Sequence, residues 1–589
     1  MNVKKITAAI LSTVILSACS ADNVDAPASD TAAEQTTASV STAVSEEETT
    51  TVSTTVSEEE TTAASTTVSE EEITAASTTV SEKETTAVST AVSEKVTTAA
   101  STTVSEKETT VVSTTVSEKE TTAVSTTVSE KETTAAETTV KTEETNTAPI
   151  SPSPVMKQYS DAGKKFEQLM NEICKDKTKP VVHIFTYNGE DILSKEVYNE
   201  TVIDVFNCDE SYRLTAEGGV KVRGNSSADG NEKPYRIKFD KKQNMLGLHD
   251  GKAYKSWVLL KSNWNLISDF MAFSLAEEIF QGKYYSSDCT FVNVYVNGEY
   301  KGLYLLCEQN QAADGRVDIY EPKKDEKQTD VGYFLEIDNY AGEDPSEPYF
   351  TLDYGKRTFT DYVGTTREIV ESSYTIKSDT SSDEQREFIH KYTKGVFEIV
   401  YQAVENKRAY KFDKNYDLVS ASSTYTPEEA VNAVLDVDSV VNSLILEELV
   451  HNYDVGEGSF FMAVDFSESS IYKRLTFLAP WDYNWGYEGS YNDRYYAGAF
   501  QDPTYDGIDR SNPWLTVLMK ADWFREKVKV KWNELQKDES LNNVVYAVCD
   551  ELVTLENDLG DETWRIDSAA DIANFVDGRI SWLDSQWRQ

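Results

Sequence analysis

Large apolar side chains fall almost entirely after residue 150, where they follow two different periods. Short runs rich in Val, Ile, Tyr and Phe predict β-strands, and Asn297-Gly298 between two of them is typical of a tight hairpin turn. The predicted strands are 181–187, 219–223, 235–239, 257–261, 291–296, 300–307 and 332–337. Apolar residues at helical spacing predict helices at 269–280 and 437–450. Strands that precede helices indicate an α+β fold with a sheet-rich N-lobe and a helical C-lobe.

Residues 41–136 repeat a twelve-residue unit eight times, on the pattern STTVSEKETTAA. All ten Trp lie beyond residue 150, so the repeats lack the large apolar groups that a folded core needs. A Ser/Thr tract of this kind is typical of an extended stalk. We therefore predict that residues 20–154 form a disordered linker in front of one folded domain, 155–589.

The first nineteen residues have the pattern of an export signal. Lys4 and Lys5 precede a short apolar run, and Leu16-Ser17-Ala18-Cys19 ends it. These four residues resemble the lipobox of bacterial lipoproteins, and the alternative is an ordinary signal peptide with an incidental cysteine. The resemblance implies that Cys19 is lipid-modified and anchors the chain at the extracellular face of the bacterial membrane. The stalk would then display the domain through the cell wall.

The folded part is acidic in its own right. The chain carries a formal charge of −45, and beyond residue 150 there are 76 acidic and 48 basic residues, a net charge of −28. Binding to nucleic acid needs the opposite sign, so we expect no nucleic-acid partner. A GxGxxG turn after a strand and a GxSxG elbow are both absent, and four His make a Ser-His-Asp triad a poor candidate.

Polar residues gather at the ends of several predicted elements. The turn KVRGNSS at 221–227 is followed by KPYRIKF at 233–239. A glycine turn beside a strand exposes backbone N–H groups, and a lysine on that strand can bind phosphate. The alternative is an ordinary hairpin with a basic exposed face.

Two aspartates occupy loops of the second half. Asp454 follows the helix at 437–450, and Asp482 follows the apolar segment that begins at Phe477. Phosphoryl transfer uses one carboxylate to orient and deprotonate the acceptor hydroxyl and another to hold Mg²⁺. The alternative is that both are ordinary cap and turn residues.

The order of these motifs resembles the CotH kinase family, secreted atypical protein kinases like spore coat protein H. The matching pieces are RGNSS, KPYRIKF, VYVNGEYKGLYLLCEQ, GYFLEID, HNYD and PWDYNWG, spread over roughly residues 180–490. The resemblance implies a kinase-like two-lobed domain that binds ATP and Mg²⁺ or Mn²⁺. It also implies transfer of the γ-phosphate to Ser or Thr of an extracytoplasmic protein.

Carried onto this sequence, the resemblance implies that Asp454 is the catalytic aspartate and Asp482 the metal ligand. It also suggests Lys238 as the nucleotide-binding lysine, Glu308 as its acidic partner, and Arg223 as a phosphate contact.

One position departs from the kinase pattern. Kinase loops commonly place a metal-binding Asn five residues after the catalytic Asp, and here that residue is Ser459. Asn484, two residues after Asp482, is the candidate to compensate as a metal ligand, and the alternative is that metal binding is weakened.

Two other functional classes compete with the kinase hypothesis. A non-catalytic surface module, either a pseudokinase or a domain that binds carbohydrate or protein, is favoured by the aromatic cluster at 481–496. A hydrolase with paired carboxylates is the other. Metal-dependent affinity for ATP distinguishes the kinase from both.

Overall fold

In the computed structural model, the described residues are 177–588 apart from 225, 231, 262–266, 488–492, 503–506 and 560–563, together with Tyr159 and eight strands between 41 and 128. The chain divides into two units, Met1–Thr147 and Ala148–Gln589. The predicted signal peptide with Cys19, and most of the predicted linker, lie outside the described residues.

The repeat tract contains eight short strands in two parallel sheets. They are β1 (Ser41–Val44), β2 (Thr51–Val56), β3 (Ala64–Glu70), β4 (Ile73–Ser81), β5 (Val88–Glu94), β6 (Thr97–Ser105), β7 (Val112–Ser117) and β8 (Thr121–Val128). The sheet orders are β1-β3-β5-β7 and β2-β4-β6-β8. Ser41 pairs with Ser65, two repeats further on, so each strand meets a near-copy of itself. Disorder of the linker in solution stays a prediction.

The second unit begins with a closed seven-stranded barrel. Its strands are β9 (Val181–Thr186), β10 (Asn199–Phe206), β11 (Leu214–Val222), β12 (Tyr235–Gln243), β13 (Tyr254–Leu260), β14 (Cys289–Val296) and β15 (Glu299–Glu308). They follow the order β10-β11-β12-β13-β15-β14-β9, and the parallel pairing of β14 with β9 closes the ring. One core of the unit includes the buried side chains Val220, Ile237, Trp257 and Leu306, contributed by four of these strands.

A five-stranded antiparallel sheet lies in the second half. It consists of β16 (Gly332–Ile337), β17 (Tyr349–Leu352), β20 (Ser372–Ile376), β23 (Phe460–Asp465) and β24 (Thr476–Phe477), in the order β17-β20-β16-β23-β24. Two small hairpins are formed by β18 (Thr358–Thr360) with β19 (Thr366–Glu368), and by β21 (Tyr410–Phe412) with β22 (Leu418–Ser420).

Ten helices accompany these sheets in the described part of the chain. They are α1 (Ser226–Asp229), α2 (Ile267–Phe280), α3 (Asp383–Val404), α4 (Pro427–Asn432), α5 (Val437–Val450), α6 (Pro513–Met519), α7 (Asp522–Leu535), α8 (Ser540–Val553), α9 (Glu556–Leu559) and α10 (Trp564–Trp587). The Asp436 side chain caps α5 by accepting from the Ser439 N–H, and nearly every residue of α5 is buried. None of the described helices combines the length and apolarity that a membrane span requires.

The α+β prediction is confirmed, and the predicted strand 332–337 and helix 437–450 are observed with the predicted bounds. The hairpin 291–296/300–307 is also present, slightly longer at both strands. The kinase-like two-lobed layout stays a prediction.

Candidate active site

The two predicted aspartates lie at the same edge of the five-stranded sheet. β23 and β24 are antiparallel neighbours, with Met462 opposite Phe477. Asp454 precedes the start of β23 and Asp482 follows the end of β24, and in an antiparallel pair these two ends coincide. The two loops are bonded to each other, because the Tyr453 N–H donates to the Trp485 carbonyl at 3.2 Å.

A close backbone approach holds the loop that carries Asp482 against the C-terminal end of α5. The Tyr487 N–H donates to the Val450 carbonyl at 2.7 Å. A Cβ atom on Gly486 would lie 2.9 Å from that carbonyl oxygen, which leaves no room for a side chain. The glycine of the PWDYNWG motif therefore permits the contact that brings both aspartate loops to one place.

Asp454 is half-buried beside a guanidinium. Its carboxylate lies 3.6 Å from Arg510 Nε, and its N–H donates to the Asn452 side chain at 3.1 Å. Arg510 also contacts Glu457 and lies 4.5 Å from the centre of the Tyr453 ring. An adjacent cation favours a charged carboxylate, which is the form a general base needs.

Asp482 is exposed and has a left-handed backbone, with φ of 64°. Asn484 Nδ2 donates to its carboxylate at 2.9 Å, while the buried Asn484 Oδ1 has no hydrogen-bond partner among the described residues. The structure therefore brings these two predicted metal ligands together and leaves one amide oxygen unused.

A third carboxylate, Asp269, was missed by sequence analysis. It lies buried in the first turn of α2 and accepts the Tyr483 N–H at 2.8 Å. Burial and the neighbouring Asp482 carboxylate raise the pKa of Asp269 to about 7, and Arg223 opposes this shift. An aspartate in the first turn of a helix is common for capping and dipole reasons, so its position gave no separate functional signal.

Arg223 lies beside Trp481 of this site and shares one face of the barrel wall with three other cations, Lys221, Arg236 and Lys238. Lys221 pairs with Arg236 in the β11–β12 register, and Gly219 pairs with Lys238. Lys221 and Lys238 lie 5.2 and 5.9 Å from the centre of the Tyr198 ring, and Arg223 lies 5.5 Å from that of Trp481. No ion pair of these four side chains is found within the described residues. In a domain with a net charge of −28, such a group is suited to bind an anion.

The predicted pair of Lys238 with Glu308 is wrong. Glu308 lies opposite Trp257, which lies opposite Ile237, so Glu308 shares the face of Ile237 while Lys238 points to the other face. Glu308 is fully buried and instead binds Arg316 at 2.8 Å and His249 at 2.9 Å. The nucleotide role of Lys238 stays a prediction, without this acidic partner.

The His249–Glu308 bond predicts a pH-dependent stability. The hydrogen bond that the His249 ring donates to the Glu308 carboxylate raises the pKa of His249, while burial and the nearby Lys252 and Arg316 lower it, with a net upward shift. The bond therefore stabilises the folded state fully at a pH below the ordinary histidine pKa of about 6.5. This stabilisation is lost as the pH rises through the higher pKa that His249 has in the folded state.

We expect His249→Gln to remove this part of the pH dependence. Urea denaturation of both proteins at about pH 6 and about pH 9 measures it. The wild type should lose more stability than the variant across that interval, and equal losses would contradict the prediction.

Within the described part of the aromatic cluster at 481–496, two residues belong to the packed core. Trp481 and Tyr483 are buried, and the Tyr483 hydroxyl donates to Glu447 at 3.0 Å. His451 stacks on Tyr496 with ring centres 4.4 Å apart, and burial lowers the pKa of His451 to about 2, so this histidine stays neutral. Trp485 is the one large hydrophobic residue of the described part of this cluster that is prominently exposed, at 48%.

The oxygen atoms of Asp482, Asn484 and Asp269 are of the kind that binds a magnesium ion still carrying much of its water. No group of three or more His, Cys, Asp or Glu side chains is arranged as a metal centre within the described residues. Mg²⁺ at phosphate sites commonly uses one or two carboxylates, with water and phosphate oxygens as the other ligands. Asp482, the unused Asn484 Oδ1 and an ionised Asp269 supply ligands of that kind.

The profile of the family described as CotH kinase protein matches residues 220–577. The match includes the three carboxylates of the site and all four cations. No curated protein matches the chain. Because the matched region covers more than half of the sequence, the chain belongs to the CotH kinase protein family.

Proposed function

We propose that this domain transfers the γ-phosphate of ATP to a Ser or Thr hydroxyl of an extracytoplasmic protein, with Mg²⁺ or Mn²⁺ bound. The observation that carries the proposal is the convergence of Asp454, Asp482 and Asp269 at one sheet edge near Arg223, which forms no ion pair within the described residues. Phosphoryl transfer depends on positioning and charge stabilisation more than on covalent chemistry, and this site offers both.

Asp454 would act on the acceptor. The acceptor oxygen bonds to the γ-phosphorus, the bond from that phosphorus to the bridging oxygen breaks, and ADP leaves. The proton of the hydroxyl passes to the Asp454 carboxylate. Arg510, 3.6 Å from that carboxylate, would keep it ionised before the transfer.

The remaining residues would bind the nucleotide. Asp482, with Asn484 and Asp269, would hold the metal, which supplies positive charge to the phosphate oxygens when bound. Arg223, together with Lys221 or Lys238, would offset the negative charge of the phosphates on the barrel side. Arg223 is the best placed of these, because its charge acts directly on the pKa of Asp269.

Incubation of the purified full chain with γ-labelled ATP and Mg²⁺ or Mn²⁺ tests the proposal. We expect label on Ser or Thr of the chain itself or of an added protein acceptor. Metal-dependent ATP binding without any transfer would indicate a pseudokinase. Absence of ATP binding would favour a non-catalytic surface module and overturn the proposal.

We further propose that Cys19 anchors the chain to the outer face of the cell membrane, on the strength of its lipobox pattern. Cys19→Ala is expected to release the protein into the medium or to leave an unprocessed precursor. Immunoblots of membrane and medium fractions measure the outcome, with Cys208→Ser as a control that should stay in the membrane fraction. Unchanged membrane retention of Cys19→Ala would contradict the proposal.

A further inference from the structure

Two cysteines face each other across neighbouring barrel strands. Cys289 begins β14, and Cys307 is the next-to-last residue of β15. The antiparallel register pairs them directly, so their side chains point to the same face of the sheet. Cys307 is fully buried, and Cys289 is partly buried against the same core.

The hydrogen bonds around this pair identify its geometry. The Glu308 N–H donates to the Asp288 carbonyl at 3.4 Å, which is a bond that flanks the cysteine pair. Cys289 and Cys307 therefore occupy a non-hydrogen-bonded position, where Cα atoms are about 4.5 Å apart and side chains come closest. A disulfide requires a Cα separation of about 4.4–6.8 Å, and this position satisfies it.

We propose that Cys289 and Cys307 form an intramolecular disulfide when the protein meets a small-molecule disulfide oxidant. One thiolate attacks a sulfur of the oxidant and releases a thiol, which leaves a mixed disulfide on the protein. The second cysteine then attacks that protein sulfur and releases the other thiol. The two cysteines lose two protons and two electrons in total, and the oxidant is reduced to two thiols.

The surroundings predict a slow reaction and a defined position for the bond. Burial raises the pKa of both thiols, so few thiolates exist near neutral pH. Cys289 is the accessible member of the pair and would react with the oxidant first. Asp269 acts electrostatically on both thiols. The disulfide would therefore link β14 to β15 at a place close to the N-terminal turn of α2. This inference does not rest on the proposed kinase activity.

Peptide mapping tests the proposal on the full chain. The reduced protein is incubated with glutathione disulfide, denatured, alkylated without reduction and digested with trypsin. Cleavage after Lys283, Lys301 and Arg316 places the two cysteines in separate peptides, 284–301 and 302–316. We expect these two peptides to appear joined after oxidation and separate after reduction.

Serine variants identify the partners. Cys289→Ser and Cys307→Ser should each abolish the joined peptides, whereas Cys208→Ser and Cys549→Ser should leave them unchanged. If either barrel variant fails to fold, the wild-type map still decides the question. Full alkylation of both wild-type cysteines after prolonged oxidation would overturn the proposal, and so would linkage of either one to another cysteine.

Discussion

Asp482→Asn is expected to abolish metal-dependent ATP binding and, with it, turnover. An amide oxygen is a poorer ligand for a hard cation than a carboxylate oxygen. Mutation of a residue that only hydrogen-bonds to a metal ligand typically lowers metal affinity by about 10–100-fold. Loss of the ligand itself should lower the affinity at least as much. Calorimetric titration with ATP, in the presence and absence of Mg²⁺, measures the effect.

The neighbouring carboxylate gives a second readout of the same substitution. The Asp482 carboxylate is the second cause, after burial, of the raised pKa of Asp269. Removing that charge should lower the pKa of Asp269 below about 7 while the fold is retained, because Asp482 is exposed. Asp383→Asn, at an 81% exposed side chain at the start of α3, is the matched control and should change neither quantity. Wild-type ATP affinity in Asp482→Asn would remove this residue from the metal site.

Local patterns in the sequence were sufficient for elements whose periodicity is unambiguous. The helix Val437–Val450 and the strand Gly332–Ile337 were predicted with their observed bounds, and Asn297-Gly298 identified the hairpin. Closure of the barrel was not predictable in this way. It depends on parallel pairing of β9 with β14, in which Val181 meets Asn293, and no local pattern encodes a contact over that separation.

The error over Lys238 and Glu308 has a definite physical origin. Along β12, polar and apolar residues alternate, and Lys238 is readily placed on the outer face next to the inward Ile237. Near the end of β15, the consecutive residues Leu305, Leu306 and Cys307 are all apolar. They point alternately to the two faces of the sheet, and both faces are buried there. Alternation therefore could not show that Glu308 faces inward. A buried carboxylate then requires a cation, and Arg316 supplies it from a loop with no distinguishing pattern.

The site itself was predictable only in part, because two of its components depend on tertiary structure. The roles proposed for Asp454 and Asp482 followed from family motifs, and the β23–β24 register explains why the two loops meet. Asp269 joins them through a bond to the Tyr483 N–H, across 214 residues of sequence. Only the folded chain shows that this helix-start aspartate faces the same edge.

Asp454→Asn is expected to fail in a different way from Asp482→Asn, with ATP and metal binding preserved and turnover lost. Asn cannot accept the hydroxyl proton, and loss of a general base typically costs about 10²–10⁴-fold in rate. The fold should persist, because Asp454 is only half-buried and its N–H bond to Asn452 does not involve the carboxylate. Single-turnover phosphate transfer, measured beside ATP titration, separates the chemical step from binding.

A control variant distinguishes a general base from a charge that merely holds Arg510 in place. Glu457 contacts the same guanidinium, so Glu457→Gln perturbs Arg510 without touching the proposed base. If Asp454 accepts the proton, Glu457→Gln should reduce the rate far less than Asp454→Asn does. Equal losses in the two variants would show that the aspartate acts by positioning Arg510. Full activity in Asp454→Asn would end the kinase interpretation of this loop, since no other described carboxylate of the loop lies between α5 and Glu457.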